Sequence, residues 1–379
     1  MRRSKEYISK DRKESLKILL INPFGIGDVL FSTPLIGILK EGNPALSVSY
    51  ICNKRAYGVI EKCPSLDKIF VFEKGDYKEL WKSDKKRFFK EFAQFIKDIQ
   101  NERFDIAVDM SMGHQYGFFL KLIRIPERVG FNYKGRGRFH TKRLTFEGFN
   151  DKPIGEYYKD LLRLTGLGVR DKPIKIWWTE EENGYIQKFF DDKGLDRDDT
   201  IISIAPGGGV SFGKEKISFK RWPHAKFAQL ADKVIEKIGA KVILVWGPGE
   251  EELIKTISDS MQNIPIIAPE TTIRQMAALM SRCDCVVSND AGPLHVAVAS
   301  GARTVSIFGP SDQNVYGPYP KGERHITVTK GIGCSPCYKK FRTPDCKTLD
   351  CLSKLESEDV FMAVADQIKV LKRDVEAKR

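Results

Sequence analysis

The sequence predicts an α/β protein made of two doubly wound parallel halves, and three observations carry that prediction. Short apolar runs of buried-strand type alternate with segments of helical periodicity along most of the chain. The theme starts twice, at Lys17 and again at Thr200, each time as a strand, a glycine-rich turn and a helix. A length of 379 residues exceeds what one ordinary core accommodates, and 41% hydrophobic residues suffice for two. The expected divisions are a basic leader over 1–16, a first α/β domain over 17–178, a second over 179–355 and a C-terminal helix over 356–379.

In the first half, Lys17–Asn22 reads as a buried strand, Pro23–Asp28 as a turn, and Val29–Lys40 as a helix with Pro34 near its start. Strand Ser47–Cys52, helix Ala56–Lys62 and strand Lys68–Phe72 follow. Phe88, Phe92, Phe95, Ile96 and Ile99 share one helical face, which marks them as core. Phe104–Met110 is the next strand. Between Lys121 and Arg143 eight Lys or Arg stand against the single acid Glu127, interrupted by Gly130, Gly135 and Gly137. This reads as a basic loop that either lies over phosphates or only solubilises the surface. Tyr157–Leu167 and the stretch to Glu182 form the crossing, with Pro173 and Trp177-Trp178 marking a change of element.

The second half opens with strand Thr200–Ala205, the turn Pro206–Gly209 and helix His224–Ile238. Strand Lys241–Trp246, helix Glu250–Met261, strand Ile264–Ala268 and helix Ile273–Ser281 continue the alternation. The stretch Val286–Pro310 is then a strand broken by Asn289-Asp290, a helix with Pro293 in its first turn, a stop at Gly301 and a strand over Thr304–Phe308. Ser357–Lys372 closes the chain as a helix with Val360, Val364, Ile368 and Leu371 on one face. Two Rossmann-like halves are the economical reading.

Composition narrows the function. A net charge of +13 asks for an acidic partner, such as nucleic acid, anionic lipid head groups or phosphorylated small molecules. Nucleic acid is disfavoured, because the basic residues are not interleaved with stacking aromatics and no helix-turn-helix or RNA-recognition pattern occurs. No apolar run approaches the roughly 18–20 residues of a membrane span. The N-terminus carries no signal-peptide pattern, so the cytoplasm is the expected compartment. Cys334-x-x-Cys337, Cys346 and Cys351 resemble a structural metal cluster, although the second pair is spaced x4; reduced, partly buried thiols are the alternative. Cys52, Cys63, Cys283 and Cys285 look like small core residues, and Asp196-Arg197-Asp198 reads as a polar turn.

Three turns are candidates for chemistry. Gly25-Ile26-Gly27-Asp28 follows the first strand, where open α/β sheets bind ligands, and Asp28 there is either a helix cap or a general base. Pro206-Gly207-Gly208-Gly209 lets a backbone approach a diphosphate, with Lys216, Lys220 and Arg221 downstream to neutralise it. A helix starting off a strand end at Gly292 is a site for an anion, flanked by Asp290 and His295, unless these are only a cap and a packed side chain.

At these positions the sequence resembles the ADP-heptose:lipopolysaccharide heptosyltransferases, glycosyltransferase family 9. The resemblance runs through Asn22–Leu30 with Thr33-Pro34, then Arg128–Phe131, then Pro206-Gly207 with Lys220–Pro223, and Trp246–Glu251. It is strongest at Asp290–His295 with Phe308–Asp312, and it ends at Cys334–Cys337 and the later cysteines. What the resemblance implies is a GT-B fold: an N-terminal acceptor domain, a C-terminal nucleotide-sugar domain and a cleft between them.

It also implies an inverting, metal-independent transfer of heptose from ADP-heptose, with no cofactor required. The acceptor would be the lipid-anchored inner core of lipopolysaccharide, reached at the cytoplasmic face of the inner membrane with contact to its anionic surface. Asp28 matches the catalytic base. Gly207, Gly208, Lys220, Asp290, Ala291, Gly292 and His295 match the donor site, as does one of Glu250 and Glu251. Gly27, Arg128, Lys134, Arg136 and Arg138 are the acceptor-side candidates. The segment Val210–Phe219 is longer than in short members, which leaves Lys216 and Lys220 both open for the diphosphate. A different sugar donor, or a nucleotide-sugar epimerase or hydrolase on the same fold, is the alternative.

Overall fold

The computed structural model describes residues 16–196, 198–208, 217–342 and 345–376; the leader through Ser15, Arg197, Gly209 and Lys216 lie outside the described residues. The chain divides into two compact units, one running to Gly148 plus Ile154–Lys172, the other comprising Phe149–Pro153 and Pro173 onward.

The first unit opens with β1 (Lys17–Ile21), α1 (Ile26–Gly42), β2 (Ser47–Cys52), α2 (Lys54–Ile60) and β3 (Lys68–Val71). It continues with α3 (Lys74–Ser83), α4 (Lys85–Glu102), β4 (Ile106–Asp109) and α5 (His114–Leu122), then β5 (Glu127–Tyr133), β6 (Lys142–Phe146) and α6 (Ile154–Leu164). All its strands are parallel, in the order β3-β2-β1-β4-β5-β6. Strand order reverses between β1 and β4, the switch point at which doubly wound sheets bind ligands. β1 is enclosed on both faces, and Leu19, Ile21, Ile51, Phe104, Ala107 and Leu120 form one buried cluster.

Three expectations need correction here. The basic stretch from Lys121 to Arg143 is not one loop: it runs from the end of α5 through a short turn into β5, and a second loop over residues 134–141 leads into β6. α1 begins at Ile26, so Pro34 lies in its middle and not near its start. The break that proline would cause is relieved locally, because Leu30 C=O, which Pro34 cannot reach with an N–H, accepts the Thr33 hydroxyl at 2.8 Å. The aromatic stripe of α4 is core only at its C-terminal end. Ile99 is buried, Phe95 and Ile96 pack partly against the sheet, and the stripe runs out toward an exposed Phe89.

The second unit repeats the plan. It contains α7 (Glu180–Asp192), β7 (Ile201–Ala205), α8 (His224–Ile238), β8 (Lys241–Leu244), α9 (Glu251–Asp259) and β9 (Ile266–Ile267). There follow α10 (Ile273–Met280), β10 (Cys285–Asn289), α11 (Gly292–Ala299), β11 (Thr304–Ile307), α12 (Gln313–Tyr316), β12 (His325–Val328), α13 (Asp350–Ser353) and α14 (Ser357–Glu376). The parallel order β12-β11-β10-β7-β8-β9 has the topology of the first sheet, with its switch point between β7 and β10. α14 docks on this unit: Val360, Val364 and Ile368 join the cluster of Phe227, Leu230 and Val305. Lys226 fastens the approach by donating to the Ser353 and Leu355 carbonyls at 2.6 and 2.8 Å.

Candidate active site

At the switch point of the second sheet, the carboxyl ends of β7 and β10 release the Pro206–Gly208 and Asp290–Gly292 turns. Asn289, the last residue of β10, ties three segments together. Its Nδ2 donates to the carbonyls of Pro206 (2.7 Å) and Gly207 (3.1 Å), and its Oδ1 accepts the Trp222 N–H at 3.0 Å. The Lys220–Trp222 segment is thereby held beside both turns.

Glu250 braces the glycine turn from α9. It is buried, accepts the Gly208 N–H at 2.8 Å and the Gly247 N–H at 3.0 Å, and faces Arg221 at 3.5 Å. Glu251 lies one residue further, in the first turn of α9, and is exposed. The approach is close enough to require glycine at one position. A β-carbon on Gly207 would sit 2.1 Å from Glu250 Oε1, whereas one on Gly208 would come no nearer than 3.4 Å to Ala291 Cβ and 3.9 Å to Arg221 Nε. Gly207→Ala is therefore expected to destabilise the fold by about 1–3 kcal/mol, measured by chemical denaturation, with Gly208→Ala near wild type. Equal stabilities of the two variants would disprove the close packing of Glu250 on Gly207.

Opposite the glycines, Lys220 Nζ pairs with Asp290 Oδ2 at 2.6 Å and lies 5.4 and 5.3 Å from the rings of Tyr316 and Tyr338. The two rings are 5.7 Å apart and wall the lysine in. Asp290 is not the cap of α11: Ala291 holds that place, with no side-chain bond to the helix. In that first turn Pro293 has no N–H and the Leu294 N–H goes to the Ala291 carbonyl at 3.1 Å, so what the helix start offers an acceptor is the Gly292 amide. His295 is buried on α11, and desolvation lowers its pKa to about 4, outweighing the pull of Asp290. It is neutral at ordinary pH, so the cationic side chains here are Lys220 and Arg221.

In the first unit, Asp28 occupies the third position of α1 at the carboxyl edge of β1. It is not the cap either, since Gly25 is. Asn22 fixes this turn by donating to the Asp28 carbonyl at 2.9 Å and accepting the Phe24 N–H at 3.2 Å. Gly27 lies beside Asp28 in the same first turn. Of the acceptor-side candidates, Arg128 is turned onto its own backbone. Its guanidinium donates to the carbonyls of Phe139, Ile125 and Pro126, which makes it a clamp of the β5 entry. Lys134, Arg136 and Arg138 are exposed, the first two beside the Tyr133 ring and the third 4.8 Å from Phe139. Behind them His140 Nε2 and Asp109 Oδ2 form a fully buried pair at 3.0 Å, into which a side chain on Gly130 would collide.

Cys334, Cys337, Cys346 and Cys351 do come together, lining one cavity of about 130 Å³ with Pro310 and Ile332. All eight cysteines are thiols. Among the described residues no group of three His, Cys, Asp or Glu side chains is placed to hold a metal ion.

A profile described as glycosyltransferase family 9 (heptosyltransferase) matches residues 92–347, well over half of the chain. The chain belongs to glycosyltransferase family 9. This family 9 enzyme is 25% identical over 343 residues to lipopolysaccharide heptosyltransferase 2 of Salmonella typhimurium, covering 87% of this chain and 91% of that one. Among solved structures it is similar to a family 9 glycosyltransferase from Veillonella parvula (TM-score 0.76, 23% identity, 93% and 97% of the two chains). It is also similar to E. coli ADP-heptose lps heptosyltransferase II (TM-score 0.71, 20% identity, 94% and 100%). The fold of this glycosyltransferase is GT-B, as its two Rossmann-like sheets indicate.

Three residues of this candidate site were not singled out from sequence. Asn289 had a signal, being the polar end of the strand before Asp290. Tyr316 and Tyr338 had none, because their partner Lys220 lies about 100 residues away in sequence.

Proposed function

We propose that this glycosyltransferase moves a heptose from ADP-heptose onto the lipid-anchored inner core of lipopolysaccharide, with inversion and without a metal, at the cytoplasmic face of the inner membrane. The observation that carries the reading is the Lys220–Asp290 pair gathered with the Pro206–Gly208 turn and the start of α11 at one sheet switch point. Sugar transfer develops negative charge on the departing diphosphate. Lys220, Arg221 and the Gly292 amide at the start of α11 meet it with donors already in place. Glu250, which accepts the Gly208 and Gly247 N–H groups, is the acid that meets a ribose hydroxyl. Asp28 takes the proton of the attacking hydroxyl, and exposed Lys134, Arg136 and Arg138 face the phosphorylated acceptor. The relatives named for heptosyl transfer to lipopolysaccharide support the choice of sugar and acceptor. No helix among the described residues is long and apolar enough to cross a membrane, which fits peripheral contact.

A thermal-shift panel of ADP-, UDP- and GDP-linked sugars tests this. ADP-heptose is expected to give the largest rise, since binding to the native state alone adds about 2.7 kcal/mol at one hundred times Kd. A larger rise with a uridine or guanosine donor would overturn the donor assignment. Rapid donor consumption with no acceptor present would overturn transfer itself in favour of hydrolysis or epimerisation.

A further inference from the structure

The α3–α4 hairpin carries a feature that neither the fold nor the proposed transfer uses. α3 buries no residue, and α4 buries only Ile99 near its far end, so the hairpin tip stands away from the core. At that tip Trp81 and Phe89 are 44% and 59% exposed. They are not loose. Trp81 packs edge-on against Phe88 at 5.0 Å and Phe89 at 5.7 Å, and Lys85 Nζ lies 5.5 Å from the indole. From 78 to 91 this knuckle is surrounded by Lys78, Lys82, Lys85, Lys86, Arg87 and Lys90 against Glu79, Asp84 and Glu91. Two of the acids are engaged locally: Asp84 accepts the Arg87 N–H as the cap of α4, and Glu91 pairs with the Arg87 side chain at 2.6 Å.

We propose that this tip docks the enzyme on the surface of an anionic phospholipid bilayer. An exposed Trp–Phe pair ringed by lysines has the composition of an interfacial anchor. The rings enter the headgroup boundary, where an amphipathic indole is favoured, and the cations meet lipid phosphates. Charge complementarity selects this occupant. A protein partner would have to cover three consecutive basic residues, Lys85–Arg87, beside the rings. A nucleic acid would need ring faces open for stacking, and here the rings are packed edge-to-face on one another. The assignment serves the proposed lipid-borne acceptor, but the hairpin's chemistry stands without it.

The test is co-sedimentation of the full chain, with no donor or acceptor present, on vesicles of phosphatidylglycerol and phosphatidylethanolamine or of phosphatidylcholine alone. Wild type is expected to bind the anionic vesicles at least tenfold better. W81S/F89S should lose at least tenfold of that binding, and K85E/K86E/R87E should lose it with a weakened salt dependence. All the altered side chains are exposed, so an unchanged melting temperature confirms that each variant is folded. Wild-type binding retained by both variants would overturn the proposal. So would tighter binding of a single-stranded oligonucleotide, or a wild-type dimer that W81S/F89S converts to monomer. A failure here leaves donor binding in the thermal-shift panel untouched, so the two readings fail separately.

Discussion

Asp28→Asn is expected to lower turnover by about 10²–10⁴-fold while leaving ADP-heptose affinity at the wild-type value. The substitution keeps the shape of the side chain and removes only its capacity to accept a proton. Its position supports that use. Asp28 sits in the first turn of α1, at the carboxyl edge of β1 and beside the sheet switch point, and the capping place that would explain an aspartate there is filled by Gly25. Asn22 holds the turn through the Asp28 backbone carbonyl, an anchor that the substitution leaves intact. The residues proposed to hold the diphosphate belong to the other unit, which is why affinity and turnover should separate. Initial rates of ADP release and a donor-binding isotherm on the same preparation check both halves. Unchanged turnover would remove Asp28 as the base, and a parallel loss of donor affinity would make it a binding residue.

How much of this was legible in the sequence depends on the range of each signal. Both sheets could be traced because buried parallel strands are short continuous apolar runs bounded by turns, as Leu19–Ile21 and Val286–Val287 are. β5 and β6 were hidden because they carry Arg128, Lys142 and Arg143, and charge on the last two strands of a sheet mimics a loop. The α4 stripe misled for a related reason. Periodicity reports which residues share a face, and only the packed structure reports how far along the helix the core extends. At the site, the glycine turn and Asp290 announced themselves locally. The choice between Glu250 and Glu251 did not, because it rests on where α9 begins: Glu250, the cap, is folded back onto the glycine turn, and Glu251, the first helical residue, is exposed. Tyr316 and Tyr338 reach Lys220 only through tertiary contact, which a linear pattern does not encode.

Lys220→Ala should produce the second large effect, a fall in turnover of about 10²–10³-fold with weaker ADP binding, in line with loss of one preorganised donor to a developing anion. The variant also has a cost unrelated to catalysis. Lys220 and Asp290 are a mostly buried pair, with side-chain exposures of 16% and 6%, and removing the cation strands the carboxylate. Breaking such a pair costs about 3–5 kcal/mol when it is fully buried, and the lower end applies to a lysine still in touch with solvent. A drop in melting temperature alone would therefore say nothing about the diphosphate. The double variant Lys220→Ala with Asp290→Asn separates the two effects. It leaves no uncompensated charge, so stability should recover, while ADP affinity and turnover should stay low because no cation has been restored. If ADP affinity returns with stability, Lys220 is a structural counter-ion of Asp290 and nothing more. If ADP binds Lys220→Ala as tightly as wild type, the diphosphate is held by other cations, with Arg221 beside Glu250 and Lys216 upstream next to be tested.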